Sequence, residues 1–319
     1  MVTLKHIAEK AGFTVSVVSR ALNPRPDRHA RVAPDTKARI EEVARELGFR
    51  RNRGAEFLKR GKSPVIQIFL PGKAYSQTAD LMFGMAEAAA KEDFPLSFSF
   101  GITENSYSHF LQSAIRNRSC GVLAVQPVMA PGFWSRFEPA IDSLKMLSLN
   151  ARSASPGHVP VLSIGYQEAG SLAADHLVAR GCARLAVIGR APQRILGFQG
   201  SARLKATPVH CFQPSETTAL ASWIREAAKP VGIFALTDIL ALKVIRHVQR
   251  LGLRVPEDVR IVGHDDSEFA VHLDPALTTI RQPYREQGRE AVRMIIRMMY
   301  GETVDSKIIQ PALIVRESA

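Results

Sequence analysis

Cysteine is scarce in these 319 residues: Cys120, Cys182 and Cys211 are the only three, odd in number and far apart. No CxxC or Cys/His spacing accompanies them, which argues against a disulfide framework or a zinc site and fits a reducing compartment. Long apolar runs are also missing. The longest, Cys120 to Trp134, is interrupted by Gln126, Pro127, Pro131 and Gly132, so no membrane-spanning helix is expected. The opening Met1-Val2-Thr3-Leu4-Lys5-His6 has no apolar stretch behind a charged head, so the expectation is a cytoplasmic chain without a secretory signal. GxGxxG, Walker A, GxSxG and HExxH are all absent, and no Cys/His pair is suggestively placed. An enzyme, the obvious rival for a chain of this size, therefore has no catalytic signature, and neither cofactor nor metal is expected.

What is present is positive charge, unevenly spread. There are 42 Lys+Arg against 30 Asp+Glu, a formal charge of +12. Residues 1–62 hold 15 basic and 7 acidic side chains, a net of +8, in one fifth of the chain. Such a segment is either a solvated basic face or the footprint of a polyanion. With 46% hydrophobic and 23% charged residues the chain is globular, and its length suggests two or three domains.

The first residues resolve the choice. Leu4, Ile7, Ala8 and Ala11 share one helical face, with Thr3 as the N-cap and Gly12 as the stop. Thr14 caps a second helix, Val15 to Leu22, that turns Val18 and Leu22 inward. Counted from Leu4, a small residue falls at the fifth place (Ala8), glycine at the ninth (Gly12) and an aliphatic at the fifteenth (Val18). A helix-turn-helix needs this spacing for close approach, turn and packing. The outer face of the second helix is polar, with Ser16, Ser19 and Arg20 beside Val15 and Val17. A third helix runs from Pro34 to Leu47, closed by Gly48, with Ile40, Val43, Ala44 and Leu47 as its buried stripe. A loop rich in Pro and Arg separates helices two and three. A basic stretch, Phe49 to Lys62, follows, carrying two exposed-looking apolar residues, Phe57 and Leu58.

After Lys62-Ser63-Pro64 the texture changes. Apolar runs at Val65–Leu70, Leu96–Phe100, Gly121–Val125, Met146–Leu149, Val161–Ile164, Leu185–Gly189, Pro208–Phe212, Gly232–Ala235 and Arg260–Gly263 predict strands. Between them, Asp80–Lys91, Ala169–Arg180, Ser215–Lys229 and Ile239–Leu251 predict helices. Uninterrupted apolar strands alternating with helices imply parallel sheets covered on both faces, and nine or more strands imply two doubly wound α/β lobes. Ligands of such sheets bind at the carboxyl ends of strands.

Val2-Thr3-Leu4-Lys5, Ile7-Ala8, Ala11-Gly12, Ser16-Val17-Val18-Ser19-Arg20 and Leu22-Asn23 together resemble the DNA-binding headpiece of LacI-type (lactose repressor-like) transcription regulators. Gly48-Phe49, Asn52, Ala55 and Leu58 resemble the family's hinge. The rest resembles its regulatory core, similar to periplasmic sugar-binding proteins, through Arg194-Ile-Leu-Gly-Phe198, Thr237-Asp238-Ile239-Leu240-Ala241, Gly252 to Val259, Val262-Gly-His-Asp-Asp266 and Leu277 to Pro283. The resemblance implies an all-α headpiece (1–48), a hinge (49–63), an N-terminal lobe (64–165 with 283–303) and a C-terminal lobe (166–282 with 304–319).

It further implies a dimeric regulator, commonly a repressor, on a near-palindromic DNA operator, with the dimer contact on the helix from Ala79 to Ala90. Val15, Ser16 and Val17 take the base-reading positions, with Arg20 deeper in the major groove. Leu58 wedges into the minor groove. Thr3, Thr14, Ser19, Asn23, Asn52, Ala55 and Lys59 complete the implied DNA contacts. A sugar-like or nucleobase-like effector is implied between the lobes, lined by Arg194, Asp265, Thr237, Asn150 and Gln282, with Tyr75 and Tyr166 as weaker additions. From the residues alone, Asp238 reads as a helix cap more readily than as a ligand contact, Asp265 equally as cleft residue or loop turn, and Arg194 more readily as a cleft residue. A vestigial cleft in a ligand-independent DNA-binding protein remains the alternative.

The sequence departs from the family at several points. A three-residue extension lengthens the loop after Asn23, Ala33 stands in place of a capping Ser, and Gly54 and Glu56 replace the usual hinge Ala and Arg. Thr237 replaces a frequent Asn, Tyr166 a frequent Asp, and the stretch from Gly200 to Pro230 is roughly twenty residues short of the norm. Glycine at 54 costs a helix about 1 kcal/mol relative to alanine. Gly54→Ala is therefore expected to tighten binding to a fixed operator duplex about fivefold, and an unchanged Kd would contradict this reading.

Overall fold

The computed structural model describes residues 2–22, 32–49, 57, 61–72, 76–141, 144–150, 156 and 158–319. Expectations for Asn23, Asn52, Gly54, Ala55, Glu56, Leu58, Lys59 and Tyr75, and for the Pro/Arg loop, lie outside the described residues.

Three helices open the chain: α1 (Leu4–Ala11), α2 (Val15–Leu22) and α3 (Pro34–Glu46). Ile7, Ala8, Ala11, Val18, Ala21, Ile40, Val43 and Ala44 form their common core, with Leu4, Val17, Leu22 and Leu47 packed at its edge. Gly12, at φ +79, makes the turn between α1 and α2. The N-terminal spacing thus meets its structural purpose: a small Ala8 at the contact and Val18 filling the space between helices.

Two compact units follow from the contacts within the chain: Met1–Gly72, Met85–Val161 and Arg289–Asp305 make one, and Lys73–Gly84, Leu162–Gly288 and Ser306–Ala319 the other. The chain changes unit after Val161, Gly288 and Asp305, a few residues from the expected 165, 282 and 303. Residues 73–84, expected with the first lobe, group with the second unit. The side chain of Gln77, hydrogen-bonded to Asp265, is one reason.

In the first unit β1 (Ser63–Leu70), β2 (Leu96–Phe100), β3 (Ser119–Val125) and β4 (Met146–Leu149) lie parallel in the order β4-β3-β1-β2. Helix α4 (Ser76–Lys91) follows β1, and α5 (Glu104–Arg116) follows β2. An aromatic group of Phe69, Tyr107, Phe110, Phe133 and Phe137 fills one layer of this unit's core. A short helix, α6 (Glu138–Ile141), precedes β4.

The second unit holds β5 (Val161–Ile164) paired in parallel with β11 (Lys307–Ile309), and a six-stranded sheet. That sheet contains β6 (Leu185–Ile188), β7 (Val209–Phe212), β8 (Val231–Ala235), β9 (Val259–Asp265), β10 (Thr278–Arg281) and β12 (Ala312–Ile314). Its order is β12-β10-β9-β8-β6-β7, with β12 alone antiparallel to its neighbour. Its helices are α7 (Tyr166–Ala179), α8 (Pro192–Leu204), α9 (Thr217–Glu226) and α10 (Asp238–Arg250), while α11 (Tyr284–Met299) passes into the first unit. All nine expected strands occur. Strands β10, β11 and β12 were not anticipated: they are three or four residues long and half of their side chains are polar or exposed, so they carry no apolar run.

One expectation is corrected. Phe57 was read as exposed-looking, and it is buried, its ring 5.7 Å from Phe94 and 6.0 Å from Tyr300. Aromatic partners contributed from distant parts of the chain overrode the basic local context. Truncating a buried phenylalanine costs about 3–5 kcal/mol, so Phe57→Ala should lower the unfolding free energy of the full chain by that order in urea denaturation. A loss under about 1 kcal/mol would show that the ring does not anchor this segment.

Candidate functional site

The exposed end of α2 is the first candidate surface. Helix packing consumes Val18 and Ala21, whereas Val15 is 44% exposed and Ser16 lies fully on the surface. An apolar side chain left in water at a helix start has no packing explanation, and it has the chemistry of a thymine-methyl contact. A cap holds this end in place, the Val17 N–H donating to Thr14 Oγ1 at 3.4 Å, while at the start of α1 the Thr3 N–H donates to His6 Nδ1 at 3.2 Å. Arg20 is partly exposed and its Nε donates to Ser16 O at 3.3 Å, laying the guanidinium back along the helix. Val17, expected beside Val15 and Ser16, is half-buried against the three-helix core, which leaves Val15 and Ser16 as the freer pair.

The second candidate is a polar wall at the carboxyl ends of β8 and β9, within the second unit. It begins with a helix crossing. A Cβ at Gly170 of α7 would lie 2.0 Å from Arg194 O, and one at Gly197 of α8 would lie 1.9 Å from Gln167 O. Only glycine permits that approach. It explains the Arg-x-x-Gly-Phe spacing: Gly197 admits the neighbouring helix, Phe198 stacks on Phe234 at 5.3 Å in the core, and Arg194 rises to the surface. There its guanidinium lies 5.2 Å from the Tyr166 ring centroid, and Nη1 donates to Leu236 O at 2.9 Å.

The end of β9 is built around a second carboxylate. Asp238 is fully buried and accepts from the Ser267 N–H and the Thr279 hydroxyl, both at 2.6 Å. Gly263 leaves it room, since a Cβ there would sit 2.3 Å from Asp238 Oδ1. The cap expected of Asp238 is made instead by Thr237, whose Oγ1 accepts from Leu240 N at 3.1 Å. Helix start and strand end are thereby tied together, and the chain leaves β9 through Asp265 and Asp266, both at positive φ. Asp266 is neutralised by Arg281 Nε at 2.6 Å and Arg316 Nη2 at 2.7 Å. Asp265 lies in the field of Arg194 and is hydrogen-bonded by Gln77. Beneath it, His264 is entirely buried, with Nδ1 2.9 Å from Asp265 Oδ1 and Nε2 2.9 Å from Gln282 Nε2.

Burial dominates the titration here. It lifts the Asp265 carboxyl from its usual range to about 7, against the opposing pull of Arg194 and Gln77. Burial and then the charge of Arg194 hold the His264 imidazole well below its ordinary value, so the His264–Asp265 contact is a neutral hydrogen bond, not an ion pair. Tyr284, near Tyr166, Arg194 and Asp265, is pushed up by burial.

Of the expected effector residues, Tyr166, Arg194, Asp265 and, through His264, Gln282 come together, with Thr237 one residue beyond the Arg194 acceptor Leu236. Asn150 ends β4 in the first unit, at φ 49. Gln77, His264 and Tyr284 were not singled out from the sequence. The last two flank expected residues, Asp265 and Gln282, and their neighbourhood was the available signal; Gln77 carried none.

Two regions of the chain match known families. Residues 3–52 match the bacterial regulatory proteins of the lacI family, and residues 174–319 match a periplasmic binding protein-like domain. The chain is 26% identical over 335 residues to the HTH-type transcriptional repressor PurR of Aliivibrio salmonicida, covering 100% of this chain and 99% of that protein. It is 26% identical over 329 residues to catabolite control protein A of Priestia megaterium, covering 97% and 96%. Among solved structures, the lac repressor dimer bound to operator and the anti-inducer ONPF aligns with a TM-score of 0.71 at 22% identity, over 99% of this chain and 98% of that one. The transcriptional regulator CelR in complex with cellobiose aligns with a TM-score of 0.67 at 22% identity, over the whole of both chains.

The raised carboxyl has a consequence for stability. The unfolded chain releases this proton near pH 4 and the folded chain near 7, so between those values the folded state binds more protons. Stability contributed by this group therefore falls as pH rises from about 4 to 7 and is flat above. Asp265→Asn removes the burden: by urea denaturation the variant should exceed the parent by about 1–3 kcal/mol at pH 8 and match it at pH 4. An equal difference at both pH values would contradict the assignment.

Proposed function

We propose that this chain, a member of the LacI family of bacterial regulatory proteins and a DNA-binding transcription regulator, represses transcription as a homodimer on a near-palindromic operator. Two headpieces would read half-sites about one helical turn, ~34 Å, apart. Residues 1–48 form the reading headpiece and 49–63 the hinge. Lobes 64–165 with 283–303 and 166–282 with 304–319 carry the regulatory function. Val15, Ser16, Val17 and Arg20 face base edges. Thr3, Thr14, Ser19, Asn23, Asn52, Ala55 and Lys59 add contacts, and Leu58 enters the minor groove. The observation that carries this reading is the exposed Val15-Ser16 start of α2 on an otherwise packed three-helix core. Phe83, 61% exposed in the middle of the stretch from 79 to 90, supports the dimer contact placed there.

The regulatory ligand is small and hydroxyl-rich, held on the second unit by Arg194, Asp265, Tyr166, Thr237 and Gln282. A guanidinium beside a carboxylate and phenols supplies donors and acceptors for a polyol. The ligand acts by differential affinity for two states and undergoes no chemical change. The protein works in the cytoplasm, where its DNA lies.

Binding to a selected duplex should weaken steeply with salt. Arg20→Ala should reduce discrimination between operator and scrambled DNA by roughly tenfold or more, a loss of about 1–3 kcal/mol. Lys59→Ala should weaken both alike. Affinity indifferent to salt, or an Arg20→Ala variant that keeps full discrimination, would overturn the DNA-reading surface.

A further inference from the structure

The buried imidazole beneath Asp265 has a defined task, and its argument rests on the ligand-binding reading above. His264 lies between two residues of the proposed ligand wall, one on each ring nitrogen. Three other charged groups at that wall have separate anchors: Arg194 is held by Leu236 O and Tyr166, Asp266 by Arg281 and Arg316, and Asp238 by Ser267 and Thr279. Among the described residues, the Asp265 carboxylate, at the strained end of β9 with φ 121, is met by the side chains of His264 and Gln77.

We propose that His264 is a positioning residue for ligand recognition: donating from Nδ1 to the Asp265 carboxylate and accepting at Nε2 from the Gln282 amide, its neutral imidazole fixes the direction of that carboxylate and sets the charge it presents to a ligand.

The geometry dictates the tautomer. An amide nitrogen only donates, so Nε2 facing Gln282 Nε2 at 2.9 Å must be bare, and the single ring proton must sit on Nδ1, facing a group that accepts. A charged imidazolium would place N–H against N–H. It would also stand near Arg194, which already disfavours it. The alternative is a reversed Gln282 amide. Its Oε1, which has no partner among the described residues, would then accept from Nε2, and the ring could charge. The structure has the first arrangement, and the two differ in a measurable way.

Charge at the wall then resides in few groups. Arg194 from α8 is the cation facing Asp265. Tyr284 from α11 and Asp238 from α10 face it from the other elements; the charge of Asp265 raises both of their pKa values, and Tyr284, pushed up by burial, stays neutral. Because His264 stays neutral, the ionisation of Asp265 alone switches the pair from net positive to balanced. The ionised form accepts hydrogen bonds from sugar hydroxyls, and the protonated form tolerates an anion. An uncharged, hydroxyl-rich ligand is therefore the class that this wall selects at neutral pH and above.

The test uses the full-length protein without ligand. Nitrogen-15 imidazole and carbon-13 aspartate carboxyl resonances are followed from pH 5 to 9, with Asp265→Asn identifying the carboxyl signal. In the wild type, His264 should keep a protonated Nδ1 and a bare Nε2 throughout, with no midpoint, while Asp265 titrates near 7. His264→Phe deletes the donor and should raise the proton affinity of Asp265 about tenfold, one pH unit. His264→Asn, whose amide can replace the Nδ1 donor, should restore it to within about threefold. A purely structural histidine would leave the Asp265 midpoint unmoved in both variants. An imidazole protonated on Nε2, or one that titrates in this range, overturns the proposal, as does an unmoved midpoint. If His264→Phe does not fold, the wild-type tautomer and the His264→Asn midpoint decide. Failure of the ligand-binding reading is a separate result: no thermal stabilisation by ribose or cellobiose, with the imidazole still as described.

Discussion

Withdrawing the Asp265 carboxylate from water is the constraint around which the polar wall at the carboxyl ends of β8 and β9 is arranged. A lone buried carboxylate is unfavourable unless it is paired or protonated. The surrounding features supply both escapes. Two helices pass at backbone contact through Gly170 and Gly197, which brings Arg194 to the same surface. Gln77 donates a hydrogen bond, and His264 Nδ1 lies 2.9 Å from Asp265 Oδ1. The remaining penalty appears as a carboxyl that ionises only near neutrality. Asp238 plays the opposite part: buried and fully hydrogen-bonded, it serves as a fastener between the start of α10 and residues 267 and 279. Two acids 27 positions apart are thus set apart by environment alone: Asp238 is held by two hydrogen bonds from the protein, and Asp265 ionises only near neutrality.

The headpiece follows the same logic with different materials. Its core is small, eight fully buried side chains on three short helices. Eight further apolar side chains, among them Leu4, Val17 and Leu47, pack at its edge, whereas Val15 is 44% exposed. A domain this small can least spare apolar area, so the exposed valine at the start of α2 is the feature on which the proposed base-reading surface rests. In the proposed function the excess of basic residues in the first 62 positions supplies the sequence-independent attraction to DNA, and Val15 and Ser16 the discrimination.

Much of this was legible in the sequence because it rests on local rules. The Ala8, Gly12 and Val18 spacing, the apolar strands and Arg194 with its Gly197 and Phe198 each reflect a short-range requirement that leaves a fixed pattern. What could not be read has one common cause, contact between distant segments. Phe57 is buried by Phe94 and Tyr300, some 40 and 240 positions away. Asp238 is recruited by Ser267 and Thr279 instead of capping its own helix, a task left to Thr237. His264 acquires its meaning only once Gln282, from the neighbouring strand's end, meets its second nitrogen. Strands β10 to β12 are legible only as partners of β9, of β5 and of each other.

The most direct measurement is a hydroxyl-radical footprint of the full-length protein on a duplex selected from random DNA. Two protected patches about 34 Å apart along the duplex, both abolished by Val15→Asp with the fold intact by circular dichroism, are the predicted result. Protection that survives Val15→Asp, or a footprint without that two-fold spacing, would contradict the claim that the start of α2 reads the operator.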